Sequence, residues 1–120
     1  KMINCLIVGL GGAVGAVMRY LIGLLPFNPD NGFPIKTFII NVVGAFVIGI
    51  VAALAAKNAM NPKLVLFLKV GICGGFTTFS SFALETDQLL MKGQSLTAVL
   101  YVLLSIFAGV MAVFLADKII

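Results

Sequence analysis

Histidine is absent from this 120-residue chain, and the acidic side chains are only four: Asp30, Glu85, Asp87 and Asp117. With no His, no paired aspartates and no nucleophile beside a base, the sequence lacks what intramembrane hydrolysis or metal-dependent catalysis requires, so a function other than enzymatic is expected. Its two cysteines, Cys5 and Cys73, stand in apolar segments without the paired spacing of a zinc site or redox motif. They read as small packing residues, because a buried free thiol behaves as a small hydrophobe. Charge of either sign is scarce: 10% of residues are charged, 62% are hydrophobic, and the mean hydropathy is +1.20. Such a balance excludes an ordinary soluble domain and points to a bilayer.

What is present is four apolar runs, at about residues 3–25, 35–56, 64–91 and 96–116. A hydrocarbon core roughly 30 Å thick takes about 20 apolar residues per helix, so the expected fold is an all-α integral membrane protein with four transmembrane helices in one domain over residues 1–120. Function must then be built from side chains within the membrane, helix ends and short loops. The first run is too long for the apolar region of a signal peptide, lacks a clear cleavage site and carries Arg19, so it is expected to be retained. The breaks are turn-forming: PFNPDNGFP after Leu25, KNAMNPK from Lys57, and Lys92 to Ser95. Helix three would be roughly 40 Å long if continuous, more than the hydrocarbon core accommodates, and the pair Gly74 and Gly75 predicts a break near its middle.

Four helices put both termini on one face. That face then holds Lys1, Lys57, Lys63, Lys118 and Lys69, against Arg19, Lys36 and Lys92 on the other. Basic residues near helix ends set orientation, and so slight an imbalance allows insertion in both directions or a modest preference for termini inside.

Polar groups in hydrocarbon are expensive, so each is a functional candidate, with interhelical hydrogen bonding as the alternative. Tyr101, Ser105, Ala108 and Ala112 share one face of helix four, which must turn toward protein or a pore. Asn41 either donates to an anion or ties two helices together. Gly11 and Gly15 form a GxxxG pair suited to close packing and oligomerisation. Arg19 and Glu85 are able to pair near a membrane surface, the alternative being an arginine that snorkels to the headgroups on its own. The segment VGLGGAVG from Val8 faintly echoes VGICGGFT from Val70, which either duplication or a shared packing constraint explains. Most specific is GICGGFTTFSSFALE, from Gly71 to Glu85: its glycines favour unwinding, its hydroxyls bond freed backbone groups, and Phe79 and Phe82 fall on one face. Phenyl edges carry partial positive charge and can meet an anion.

The stretches GGFTTFSSFALE, GLGGAVGAVMRY and FIINVVGAF together resemble the small fluoride channels of the Fluc family, also called CrcB, over essentially the whole chain. The resemblance implies a fluoride-specific channel that passively exports fluoride from the cytoplasm, in a bacterial plasma or inner membrane. It also implies an antiparallel dual-topology homodimer with a structural, untransported sodium ion at its centre, and no nucleic-acid partner. Carried onto this sequence, Phe79 and Phe82 correspond to the family's paired phenylalanines and Asn41 to its pore amide. Ser80, Tyr101 and Ser105 match pore-lining positions, Thr37 and Glu85 the polar track beyond the phenylalanines, and Arg19 the basic residue after the first-helix glycines. Gly74 and Thr77 match the positions whose backbone oxygens hold sodium. Ser81 stands where the family commonly has Thr, keeping the hydroxyl. A small four-helix multidrug or cation exporter is the alternative, disfavoured because proton coupling needs a carboxylate in the membrane and helix one has none.

Overall fold

In hydrocarbon, every backbone N–H and C=O must be satisfied within its own segment, so proline-free apolar runs have helix as their one spanning solution. A computed structural model describing residues 1–120 is accordingly all-helical. Helix α1 spans Met2–Gly23 and α2 spans Ile35–Ala56. The third span, Pro62–Met91, is made of α3 (Pro62–Val65), a π-helical stretch (Leu66–Cys73), α4 (Gly74–Phe76) and α5 (Phe79–Met91), and α6 covers Ser95–Ile119. All four spans are long and apolar enough to cross a bilayer, which makes this a multi-pass membrane protein. The 22 residues of α1 or α2 correspond to about 33 Å at 1.5 Å per residue. Only 16 of 120 residues are buried, and large apolar side chains cover the outside, as suits a surface bathed in lipid.

The end caps follow local chemistry. Pro62 occupies the first turn of α3, where it loses no hydrogen bond, and the Asn61 side chain accepts from the Lys63 N–H at 2.8 Å. At the far end of α1, Lys36 Nζ donates to the Gly23 and Leu25 carbonyls, each at 3.0 Å, a cation closing a helix C-terminus. Lys63 reaches Asn4 at 3.3 Å and Lys57 bonds the Ile120 carbonyl, so these lysines gather beside the chain ends.

The third span breaks, but not where the glycine pair predicts. Gly74 keeps helical angles, φ −63° and ψ −37°, and α4 runs through Gly75 to Phe76. The chain extends instead at Thr77 (φ −79°, ψ 155°) and Thr78 (φ −148°, ψ 116°). Threonine hydroxyls make this possible by serving the backbone they release. Thr77 Oγ1 and the Thr77 N–H both donate to the Cys73 carbonyl, at 2.9 and 3.0 Å, and Thr78 Oγ1 accepts from the Ser81 N–H at 3.1 Å to cap α5.

The glycines serve helix crossing. A Cβ on Gly11 would lie 2.6 Å from the Phe67 carbonyl oxygen and 2.8 Å from Gly71 Cα; one on Gly15 would strike the Ile72 carbonyl and sit 2.7 Å from the Phe76 nitrogen. One on Gly75 would run into Gly12 in turn. The GxxxG face expected to support oligomerisation is therefore consumed within the chain, where α1 crosses the third span backbone to backbone. Of the two echoing glycine motifs, Gly11 meets Gly71 and Gly12 meets Gly75, whereas Gly9 and Gly74 have open space beside them. On α6, Tyr101, Ala112 and Ala116 are buried, and Gly49 of α2 approaches Ala116 and Val113, so the small and polar stripe faces protein.

Candidate functional site

Each of three helices presents polar side chains one turn apart: Thr37 and Asn41 on α2, Ser81 and Glu85 on α5, Tyr101 and Ser105 on α6. Glu85 joins the three helices. Its Oε2 accepts from Thr37 Oγ1 at 2.7 Å and its Oε1 accepts from the Tyr101 hydroxyl at 2.8 Å. Tyr101 is fully buried and Thr37 nearly so, so each hydroxyl has surrendered its water for this carboxyl group.

Over this cluster opens a vestibule of about 550 Å³, with Arg19, Lys36, Lys92, Ser81, Gln88 and Glu85 among its lining residues. Three cations face one carboxyl group whose oxygens both already accept hydrogen bonds, an arrangement that attracts anions. Arg19 and Glu85 do not pair, contrary to one expectation from the sequence. Arg19 Nε donates to the Gly75 carbonyl at 3.3 Å. In a continuous helix that carbonyl would receive the Phe79 N–H, but the break at Thr77 and Thr78 separates the two, and Arg19 takes the vacated acceptor.

Asn41 serves the break from the other side. Its Nδ2 donates to the Thr78 carbonyl at 3.1 Å and its Oδ1 accepts from the Thr78 N–H at 2.8 Å, satisfying both backbone groups of one extended residue. Of the two readings of this amide, the interhelical tie is the one displayed within the protomer. The Cys73, Gly75 and Thr78 carbonyls thus have partners in Thr77, Arg19 and Asn41. No side chain reaches the Gly74 or Thr77 carbonyl, and the Thr77 carbonyl accepts no backbone N–H either.

A row of rings runs beside the polar seam. Phe82 packs on Tyr101 with centroids 5.0 Å apart, and Phe79 lies 5.8 Å from Phe82. Phe79 is 79% exposed, and Ser80 and Gly74 are exposed as well, so these three turn outward from the protomer. The Ser80 hydroxyl lies 3.3 Å from that of Thr78. Ser105 sits one turn beyond Tyr101 with its Oγ buried and without a hydrogen-bond partner in the chain. Thr37, Glu85, Tyr101, Phe82 and Asn41 are thereby gathered around the break and the vestibule floor, whereas Phe79, Ser80 and Gly74 point away. Lys36, Gln88 and Lys92 also belong to the site, although no motif in the sequence marks them. Their only signal was a position near helix ends on the Arg19 side, and their convergence depends on how the loop after α1 folds back.

The family model described as CrcB-like protein, Camphor Resistance (CrcB), matches residues 6–116. Among similar curated proteins, the fluoride-specific ion channel FluC of Gloeothece citriformis is 43% identical over 115 residues, covering 95% of this chain and 94% of that protein. The FluC of Azobacteroides pseudotrichonymphae is 44% identical, covering 91% of this chain and 89% of its own. That of Ruminiclostridium cellulolyticum is 48% identical, covering 88% and 83% respectively. Similarity of this degree, running nearly end to end in both partners of each comparison, establishes that the chain belongs to the CrcB family.

Proposed function

We propose that this chain forms a fluoride-specific channel that lets the anion leave the cytoplasm down its gradient. The observation that carries the reading is a cationic vestibule closing onto hydroxyls and phenyl rings, with the carboxyl group that lines it, Glu85, already accepting from Thr37 and Tyr101. The relatives' name supplies the anion. An exporter coupled to protons is not favoured, since Glu85 is committed to Thr37 and Tyr101, and Asp87 and Asp117 are exposed near helix ends. In this reading Arg19 draws the anion into the vestibule, and Thr37, Glu85 and Tyr101 form the polar track. The edges of Phe79 and Phe82 take the place of water, and Asn41, Ser80 and Ser105 supply donors, the unpartnered Ser105 hydroxyl being free to do so. Purified protein in liposomes is expected to release fluoride down its gradient and to nearly exclude chloride. Comparable chloride flux, or a need for an imposed proton gradient, overturns the proposal.

The functional unit in this reading is an antiparallel homodimer of oppositely inserted copies. The outward face carrying Phe79, Ser80 and Gly74 supports it, because hydroxyls and open carbonyls suit a protein partner better than lipid. The near balance of basic residues between the two ends supports it too. The Gly74 and Thr77 carbonyls fit a structural sodium ion held without any carboxylate, as bare backbone oxygens can replace a hydration shell. What favours this is that no side chain caps either oxygen, whereas the Cys73, Gly75 and Thr78 carbonyls are bonded by Thr77, Arg19 and Asn41. A cysteine in an added terminal tag is expected to label from both sides of the membrane. Fluoride flux is expected to fall when a large organic cation replaces sodium on both sides, and to return with sodium. Labelling from one side alone, or indifference to the exchange, removes the corresponding half of the assembly proposal.

A further inference from the structure

The loop after α1 contributes one ring to the row that ends at the pathway phenylalanines. Phe33 meets Tyr101 edge-on, with centroids 5.3 Å apart and planes at 79°, and meets Phe38 at 5.6 Å and 70°. The contacts therefore run from Phe33 to Tyr101, to Phe82 and to Phe79, with separations of 5.3, 5.0 and 5.8 Å. Phe33 also lines the vestibule, whereas Tyr101, immediately behind it, has no exposure at all. The ring thus stands between the water of the vestibule and the tyrosine whose hydroxyl donates to Glu85.

The backbone delivers Phe33 to this place by several anchors. Asn31 Oδ1 accepts from the Phe33 N–H at 3.0 Å, fixing the turn that precedes the ring. Gly32 takes φ +80°, and Gln94 lies against it so closely that a Cβ there would come 2.8 Å from the Gln94 Oε1. On the other flank Lys36 binds the Gly23 and Leu25 carbonyls, holding the start of α2 to the end of α1. A loop of turn-forming residues is in this way held at both shoulders of a single phenyl ring.

We propose that Phe33 is a positioning residue for the anion pathway, acting through Tyr101: it fixes the tyrosine ring edge-on and covers the tyrosine side of its hydrogen bond to Glu85, whose carboxyl group borders the vestibule. This rests on the fluoride reading for its flux readout, but not for its structural one. The chain has two tyrosines and no tryptophan. Fluorotyrosine labelling therefore gives two fluorine resonances, one from buried Tyr101 and one from Tyr20, which is 65% exposed. Phe33→Leu keeps apolar volume and removes the ring; Phe33→Tyr keeps the ring and directs a hydroxyl to the vestibule. The Leu variant is expected to move the Tyr101 resonance toward that of solvated tyrosine, leave Tyr20 unmoved, and lower fluoride flux roughly five- to tenfold, the scale of one aromatic pair. Phe33→Tyr, which adds a third resonance of its own, is expected to keep the Tyr101 resonance and the flux near the parent values, with helical content and elution volume the same in all three proteins. An unmoved Tyr101 resonance in Phe33→Leu overturns the positioning role whatever the flux does. A moved resonance with parent flux overturns the link to conduction, and equal losses in both variants overturn the need for an aromatic ring. Absence of fluoride flux in the parent protein would instead remove the functional reading and leave the resonance test standing.

Discussion

Gly15→Val is expected to leave almost no assembled protein. The first carbon added at Gly15 runs into the Ile72 carbonyl and comes within 2.7 Å of the Phe76 nitrogen, and both obstacles are backbone that no rotamer change can move. Overpacking among side chains typically costs about 1–3 kcal/mol. With helix backbone as the obstacle, the cost is expected at or above about 3 kcal/mol, because α1 must lift off the third span along its length. Gly109→Ala provides the contrast, since a Cβ there meets nothing within 4 Å. Replacing a helical glycine by alanine then contributes about 1 kcal/mol of helix propensity. Thermal unfolding in detergent, followed by size exclusion, should show Gly15→Val aggregated or missing and Gly109→Ala at or above the parent midpoint. A Gly15→Val protein melting within a few degrees of the parent would mean that the crossing of α1 is looser than the glycine contacts require.

Asn41→Ala is expected to cost nearly as much, and through a different mechanism. It strips both partners from Thr78, leaving an N–H and a C=O at a half-buried break beside the vestibule. An unsatisfied buried group costs about 1–3 kcal/mol, and access to the vestibule offsets part of this at half-buried Thr78, so about 2–3 kcal/mol is expected for the pair. The extended segment should then rewind or sag, taking Phe79 and the cap of α5 with it, and fluoride flux should collapse together with the melting midpoint. Asn41→Asp separates the two roles. It retains an acceptor for the Thr78 N–H but sets a negative charge beside the proposed anion path. At an effective dielectric of about 20, like charges about 4 Å apart repel by about 4 kcal/mol, equivalent to about a thousandfold in rate. Flux in Asn41→Asp is thus expected to be lost even at temperatures where the protein remains folded. Parent-like melting and flux in Asn41→Ala would show that the clamp on Thr78 is dispensable.

Much of this protein can be read directly from its residues. A long apolar run has no spanning solution but helix, so four such runs separated by Pro-, Asn- and Lys-containing breaks determine four spans with little help from tertiary contacts. The division of cations between the two ends follows from the same count, and the lysines near the termini and those at the vestibule do gather on opposite sides. The unusual density of glycines and hydroxyls from Gly71 to Ser81 likewise marks the interruption of the third span. Tertiary structure decided which of those residues does what. Glycine weakens a helix by about 1 kcal/mol wherever it stands, but at Gly75 that weakness is offset by the close approach of α1, a partner 63 positions away at Gly12, so the helix persists there. It yields two residues later, where threonine hydroxyls and the Asn41 amide, 37 positions distant, receive the freed backbone. Arg19 bonds the Gly75 carbonyl, 56 positions away, and Thr37 bonds Glu85, 48 positions away. Propensity acts within a turn or two of the chain, whereas hydrogen-bond partners and steric contacts are set by which helices cross and at what height. The presence of a break was therefore a local property of the sequence, and its position, its partners and the vestibule above it are properties of the assembled helices.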